Sequence, residues 1–274
     1  MRVFGIDFTS RPTRRKPILC AEGRIEGAAL VLKGLRAWDS FAPFEAMLAS
    51  AGPWIAGMDF PFGLPRPFIS AIGWPGDWAG YTRHAALLGR AGFRAALDGF
   101  RQGRPAGQRE YRRAADVAAG AISPQKLYGV PVGLMYLEGA PRLLDSPVSI
   151  PLLKVGDPAR VAIEAYPGCA VRQLIGRQPY KNDDPARQSP QHRAARQAVL
   201  EGLEAAGNPW GLHLKVGPAD RALLLDDPGA DRLDAVICAM QAAWAWQRPD
   251  YGLPADADPD EGWIADPSLC GKPC

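Results

Sequence analysis

Residues 2–8 alternate β-prone apolar positions with small or polar ones. They predict a strand in which Val3, Gly5 and Asp7 share one face. RPTRRK at 11–16 reads as a basic turn. Two further strands are expected near 17–25 and 28–37, joined at Glu26-Gly27, which makes a three-stranded antiparallel meander. A helix near 40–51 would start from Ser40 as its N-cap, and WIAGMDFPFGLP gives a strand over 54–59 stopped by Pro61. From about 61 to 157 the character changes. Pro, Gly, Trp and Arg become frequent, and helical stretches near 82–100 and 108–120 are separated by turns. This segment lacks a strong strand set, so it reads as an insertion or lid within one domain spanning 1–274. RVAIEAY at 160–166 is another buried strand, stopped by Pro167, and helices are expected near 168–176, 188–206 and 230–246. The tail from about 248 is rich in Pro and Asp and is expected to wrap the surface. No repeat of solenoid length is visible.

Stripped of the insertion, the order is β-β-β-α-β-α-β-α. Such an order predicts a mixed sheet with helices on both faces. It is also the order of an RNase H-like fold. The expected class is therefore α/β: an RNase H-like mixed sheet, with three antiparallel strands followed by parallel strands reached through helices, and a large helical insertion.

Composition narrows the chemistry. The chain has 274 residues, 47% hydrophobic and 22% charged, with a net charge of +3. There is enough apolar material for a core, and the mild basicity permits a polyanionic partner without demanding one. No run of about 18 apolar residues occurs, so no membrane span is expected. The N-terminus lacks the apolar stretch of a signal peptide. The five cysteines are scattered and form no CxxC pair. Cys270 and Cys274 are near enough in sequence to pair, which the expected reducing cytoplasm disfavours. The three histidines, His84, His192 and His213, share no close spacing, and GxSxG and GxxxxGK[ST] are absent. Histidine zinc sites, nucleophile-elbow hydrolases and P-loop NTPases lose their main support.

What remains is carboxylate chemistry. Gly5-Ile6-Asp7-Phe8 is echoed by Gly57-Met58-Asp59-Phe60, and both aspartates lie near the C-terminal ends of their strands. If the strands are parallel neighbours, the two carboxylates land side by side at the edge where α/β sheets bind ligands. The glycines two residues earlier leave room for close backbone or phosphate approach. Glu164 stands at a third strand end, and Asp231 and Asp234 share one face of the last helix, continued by Cys238. Gathered carboxylates repel one another and resist desolvation. Bound Mg²⁺ or Mn²⁺ relieves both, and such ions can activate water against a phosphodiester. Each acid also has a purely structural reading. Asp7 could cap the turn at Thr9-Ser10, Asp59 could order the turn before Pro61, and Glu164 could pair with a core arginine. Asp231 could be a helix N-cap with Asp234 at N3.

GIDFTS at 5–10, GMDFPFGLPR at 57–66, EAYPG at 164–168 followed by Tyr180-Lys181, and DRLDAVICAMQAA at 231–243 resemble the domain-of-unknown-function family DUF429. The resemblance runs from Arg2 to about Trp263. That family is regarded as predicted nucleases of RNase H-like fold. The resemblance therefore implies a metal-dependent nuclease whose acidic set is Asp7, Asp59, Glu164 and Asp234, with Asp231 as an accessory. The paired D-x-x-D on the last helix is also similar to that of Holliday-junction resolvases.

Around this set, Thr9, Arg14, Arg15, Arg113, Lys126 and Lys181 are candidates for contacting phosphates of a nucleic-acid substrate. For the basic loop at 11–16 and the run Arg101, Arg104, Arg109, Arg112 and Arg113, the alternative is a solvated charged surface. Trp74, Trp78 and Tyr81 could stack on unpaired bases or simply pack the insertion. Two other functions fit the same pattern. An actin-like phosphotransferase would bind ATP tightly with Mg²⁺, and a non-catalytic module would bind nucleic acid or protein and ignore divalent metal.

Overall fold

The computed structural model describes residues 1–182 and 184–270. β1 (Arg2–Asp7), β2 (Ile18–Glu26) and β3 (Ala29–Trp38) form the antiparallel meander. The β2–β3 turn passes through Gly27 at φ 61°, a conformation that favours glycine. After α1 (Ala42–Ala49), β4 (Trp54–Asp59) joins the other side of β1 in parallel. Next come α2 (Arg66–Ala71), α3 (Trp78–Arg101), α4 (Ala114–Ala119) and α5 (Val132–Asp145). β5 (Val148–Ser149) and β6 (Asp157–Glu164) then extend the sheet beyond β4. The chain continues through α6 (Pro167–Ile175), α7 (Pro190–Glu204), β7 (His213–Lys215), α8 (Pro218–Leu225) and α9 (Asp231–Trp246). The strand order is β5-β6-β4-β1-β2-β3-β7, a mixed seven-stranded sheet consistent with an RNase H-like α/β fold.

Strand alternation splits the core into two layers. Phe4, Ile6, Phe8 and Met58 pack with Phe44 of α1, Phe93 of α3 and Tyr136 of α5. Val3, Ile55 and Ile163 face the other way, against Val171 of α6, Val199 of α7 and Leu233, Val236 and Met240 of α9. Asp7 and Asp59 have the parity of this second layer, so they point toward α9.

The helix comes unusually near the sheet. Gly5 and Gly57 are register partners. A Cβ on Gly5 would stand 1.9 Å from the Ala235 carbonyl oxygen, and one on Gly57 would stand 2.3 Å from that of Cys238. These glycines admit helix backbone, the first of the two approaches expected from the sequence.

Other differences have local causes. α1 begins at Ala42 with Pro43 in its first turn, and no side-chain cap is made, so Ser40 does not serve as N-cap. The helix expected over 108–120 shrinks to α4, because a short 3₁₀ turn and an extended link precede it. α3 is longer than expected and kinks at Gly89, φ 61° and ψ −178°. α5 was not foreseen, since Pro141 and two glycines interrupt its pattern; one of them, Gly139, gives way to the Phe60 ring. α2, α8, β5 and β7 are too short to show periodicity. The tail does not merely wrap the surface. Trp263, Ile264 and Ala265 are buried, and the Ala265 N–H donates to the Glu164 carbonyl at 2.9 Å. Among the described residues no helix is long and apolar enough to cross a membrane. A Cys270–Cys274 pairing lies outside the described residues, because Cys274 is not among them.

Candidate functional site

Parallel pairing in register sets Asp7 directly beside Asp59 at the carboxyl ends of β1 and β4. The first turn of α9 adds Asp231 and Asp234 from above. Asp234 is fully buried and fully engaged: Oδ1 accepts from the Tyr180 hydroxyl at 2.7 Å and Oδ2 from Lys181 Nζ at 2.5 Å. Asp231 accepts from Lys16 Nζ at 2.7 and 2.9 Å. Ala230, in a left-handed conformation, is the N-cap of α9, so the acidic capping box is not formed.

Asp7 and Asp59 differ from these two. Among the described residues neither side chain has a hydrogen-bond donor; what reaches them is charge. Burial raises the Asp7 carboxyl well above the usual range, the charges of Asp231, Asp234 and Asp59 add to it, and Lys181 opposes. Burial and Asp234 push Asp59 up to about 7, again against Lys181. Asp234 is raised by burial, with Lys181 and Tyr180 pulling it back. The Lys181 ammonium is disfavoured by burial, but Asp234, Tyr180 and Asp7 more than reverse this and hold its pKa well above the lysine value. Cys238, four residues after Asp234, has its thiol raised by burial and then by Asp59, Asp7 and Asp234, so it stays protonated.

Glu164 borders this group without bonding to it: it lines one cavity with Asp59, and its charge is a lesser influence on the Asp59 carboxyl. In the β4–β6 register it pairs with Met58, not with Asp59, and takes the parity of the opposite layer. There Arg113, 1% exposed, grips it with two bonds, Nη2–Oε1 at 2.6 Å and Nη1–Oε2 at 2.8 Å. The Phe62 N–H also donates to Oε2 at 2.9 Å. Asp116 binds the same guanidinium at 2.7 and 3.0 Å. The core-arginine reading of Glu164 describes this geometry. Arg113 is thereby spent on two buried carboxylates and does not present itself to a phosphate.

The remaining candidates are dispersed. Thr9 follows β1 and is partly exposed, while Arg14 and Arg15 are exposed; Arg14 lies 3.7 Å from Asp39. Lys126 Nζ lies over the Tyr128 ring at 5.1 Å. The arginines of 101–113 do not form one track. Arg101 sits by Asp98 and Glu110, Arg104 covers the Phe100 ring, Arg109 binds the Arg104 carbonyl, and Arg113 is internal. Trp78 and Tyr81 are core residues.

A cavity of about 220 Å³ opens on Asp59, Glu164, Arg113 and Lys181 and has an apolar wall including Ile122 and Met135. Lys181 also lines a second cavity, of about 450 Å³, with Arg172 and Arg177. Sequence reasoning passed over that arginine pair, and only the charge of Arg177 just past the helix-ending Gly176 could have drawn attention to it.

Among the described residues, no three His, Cys, Asp or Glu side chains form a group disposed to hold a metal ion. Asp231 and Asp234 are turned to lysines, and Glu164 is turned to Arg113. What is left is a pair of unbonded, neighbouring carboxylates. That pair fits Mg²⁺, which is typically held by one or two carboxylates with water and substrate oxygens completing the shell.

Fold and pocket together define an RNase H-like α/β protein with an acidic pocket at the carboxyl edge of its sheet. The family model described as "Protein of unknown function (DUF429)" matches residues 148–259, so this segment of the chain is similar to that family. The matched segment holds Glu164, Lys181, Asp231 and Asp234, while Asp7 and Asp59 precede it. No curated protein and no solved structure matches the chain.

Proposed function

We propose that the chain is a divalent-metal-dependent phosphodiesterase acting on nucleic acid, with Asp7 and Asp59 as its metal-binding pair. The observation that carries this reading is the in-register placement of two carboxylates that have no hydrogen-bond donor among the described residues and whose charged forms are disfavoured. Bound Mg²⁺ or Mn²⁺ would supply a Lewis acid and a water activated near neutral pH. The protein's own contribution is arrangement. β1 and β4 fix the two carboxylates, Asp234 anchors Lys181, and the Lys181 ammonium faces both the acidic pocket and the neighbouring cavity, where it can contact a phosphate oxygen. Glu164 ties Arg113 and α4 to the end of β6. Action in the cytoplasm suits a protein whose buried Cys20 and Cys238 form no disulfide among the described residues.

The test compares wild type with Asp7→Asn, using Mn²⁺ titration calorimetry and cleavage of labelled oligonucleotides. Wild type should bind Mn²⁺ and cleave. The variant should lose affinity and cleavage by about 100-fold or more, the upper end of what outer-shell changes already produce, with an unchanged circular dichroism spectrum. Full cleavage by Asp7→Asn would falsify the assignment.

A further inference from the structure

α6 ends at Gly176, whose φ of 67° turns the chain so that Arg177 to Lys181 fold back beside the helix. Gly168, near the start of α6, and Lys181 consequently line one cavity of about 450 Å³. Its described lining includes Arg172, Arg177, Lys181 and Gln178 and not a single acidic residue.

The state of these cations matters. Lys181 is neutralised by Asp234. Arg172 donates to the Ala119 carbonyl and lies 5.5 Å from the centre of the Tyr166 ring, both neutral groups. Arg177 has no hydrogen bond or ion pair among the described residues. Two guanidinium charges therefore converge on a concave surface without a counter-charge, whereas many other cations of the chain, including Lys16, Arg66, Arg113, Arg142 and Arg193, sit against carboxylates. Gly120, Gly168 and Gly176 keep the walls free of side chains. Planar guanidinium forks suit the paired oxygens of a phosphodiester.

The cleft shares Lys181 with the cavity that contains Asp59, so a ligand seated in one borders the other. We propose that the Arg172–Arg177 cleft is a subsite for a backbone phosphate of single-stranded nucleic acid. That this phosphate flanks the bond presented to Asp7 and Asp59 rests on the phosphodiesterase reading; its capture by the cleft does not.

The experiment measures anisotropy of a fluorescein-labelled oligothymidylate over a range of salt concentrations in EDTA, so no metal and no cleavage are involved. Each phosphate contact on a single strand contributes about 0.7 to the slope of log K against log salt, so Arg172→Ala/Arg177→Ala should flatten it by about 1.4. If the two lines meet near 1 M salt, that difference is about 25-fold in affinity near 0.1 M. Arg177→Ala alone, at an exposed position without a partner among the described residues, should show about half the slope change and an unaltered melting temperature. Affinity and slope unchanged in the double variant overturn the proposal, as does a wild type that does not bind the oligonucleotide. Displacement by inorganic phosphate at equal phosphate concentration overturns it in favour of a free-anion site. Failure of the phosphodiesterase reading shows elsewhere, as absence of Mn²⁺ binding and cleavage while oligonucleotide binding persists.

Discussion

Replacing Asp59 by Asn removes one of two facing carboxylates while keeping size and shape, and the consequence can be worked out from the pocket. Burial is the largest influence on Asp59, followed by Asp234, then Lys181 in opposition, then Glu164. Its carboxyl moves from 3.8 to about 7. A carboxyl raised on folding is protonated in the native state over a range where the unfolded chain has already released the proton. Its favourable contribution is complete below about pH 4 and is lost as pH rises through about 7. A shift of about 3 units corresponds to about 4 kcal/mol. Water reaching the partly exposed side chain screens roughly half of it, which leaves about 2 kcal/mol. Asn does not titrate, and its neutrality also lowers the pKa of Asp7, which the Asp59 charge helps to raise. Urea unfolding near pH 3.5 and near pH 8, in EDTA, should therefore show wild type losing about 2 kcal/mol more than Asp59→Asn across that interval. Saturating Mn²⁺ should raise wild-type stability near pH 8 and barely affect the variant. Equal losses in the two proteins would refute the account of the pocket as two charges lacking compensation.

Arg113→Met leaves Glu164 and Asp116 buried without their cation, so urea unfolding should show a loss of about 3–5 kcal/mol; a loss below about 1 kcal/mol would mean that the network is solvated. Gly57→Ala drives a methyl into the Cys238 carbonyl, 2.3 Å from the ideal Cβ position. It should lower stability by about 1–3 kcal/mol and weaken Mn²⁺ binding in calorimetry, because Asp234 is one turn away on the displaced helix. Gly34→Ala, where a Cβ meets nothing within 4 Å, is the control and should leave both readouts unchanged.

The echo between Gly5-Ile6-Asp7-Phe8 and Gly57-Met58-Asp59-Phe60 was informative because two in-register parallel strands under one helix face the same packing demands. Period two then carries the aspartates to the same side. Parity was also what misled for Glu164. The sequence shows that it ends a strand, but not that its partner is Met58 rather than Asp59, and one residue of register moves a side chain through the sheet. Arg113 lies 51 residues before Glu164, and nothing local reveals that pairing. Lys181 was visible as a cation near the site. That it spends its charge on Asp234 depends on how the segment after α6 folds back, and no periodicity encodes it.

The two register-paired glycines have a last consequence. Together they cut a trough across adjacent strands, and α9 is seated in it at the level of Ala235, Cys238 and Ala239. A helix in such a seat cannot roll or slide without its backbone climbing onto a neighbouring side chain. The heading of its acidic first turn, and with it the spacing between Asp234 and the two strand-end aspartates, is thus dictated by a pair of missing methyl groups.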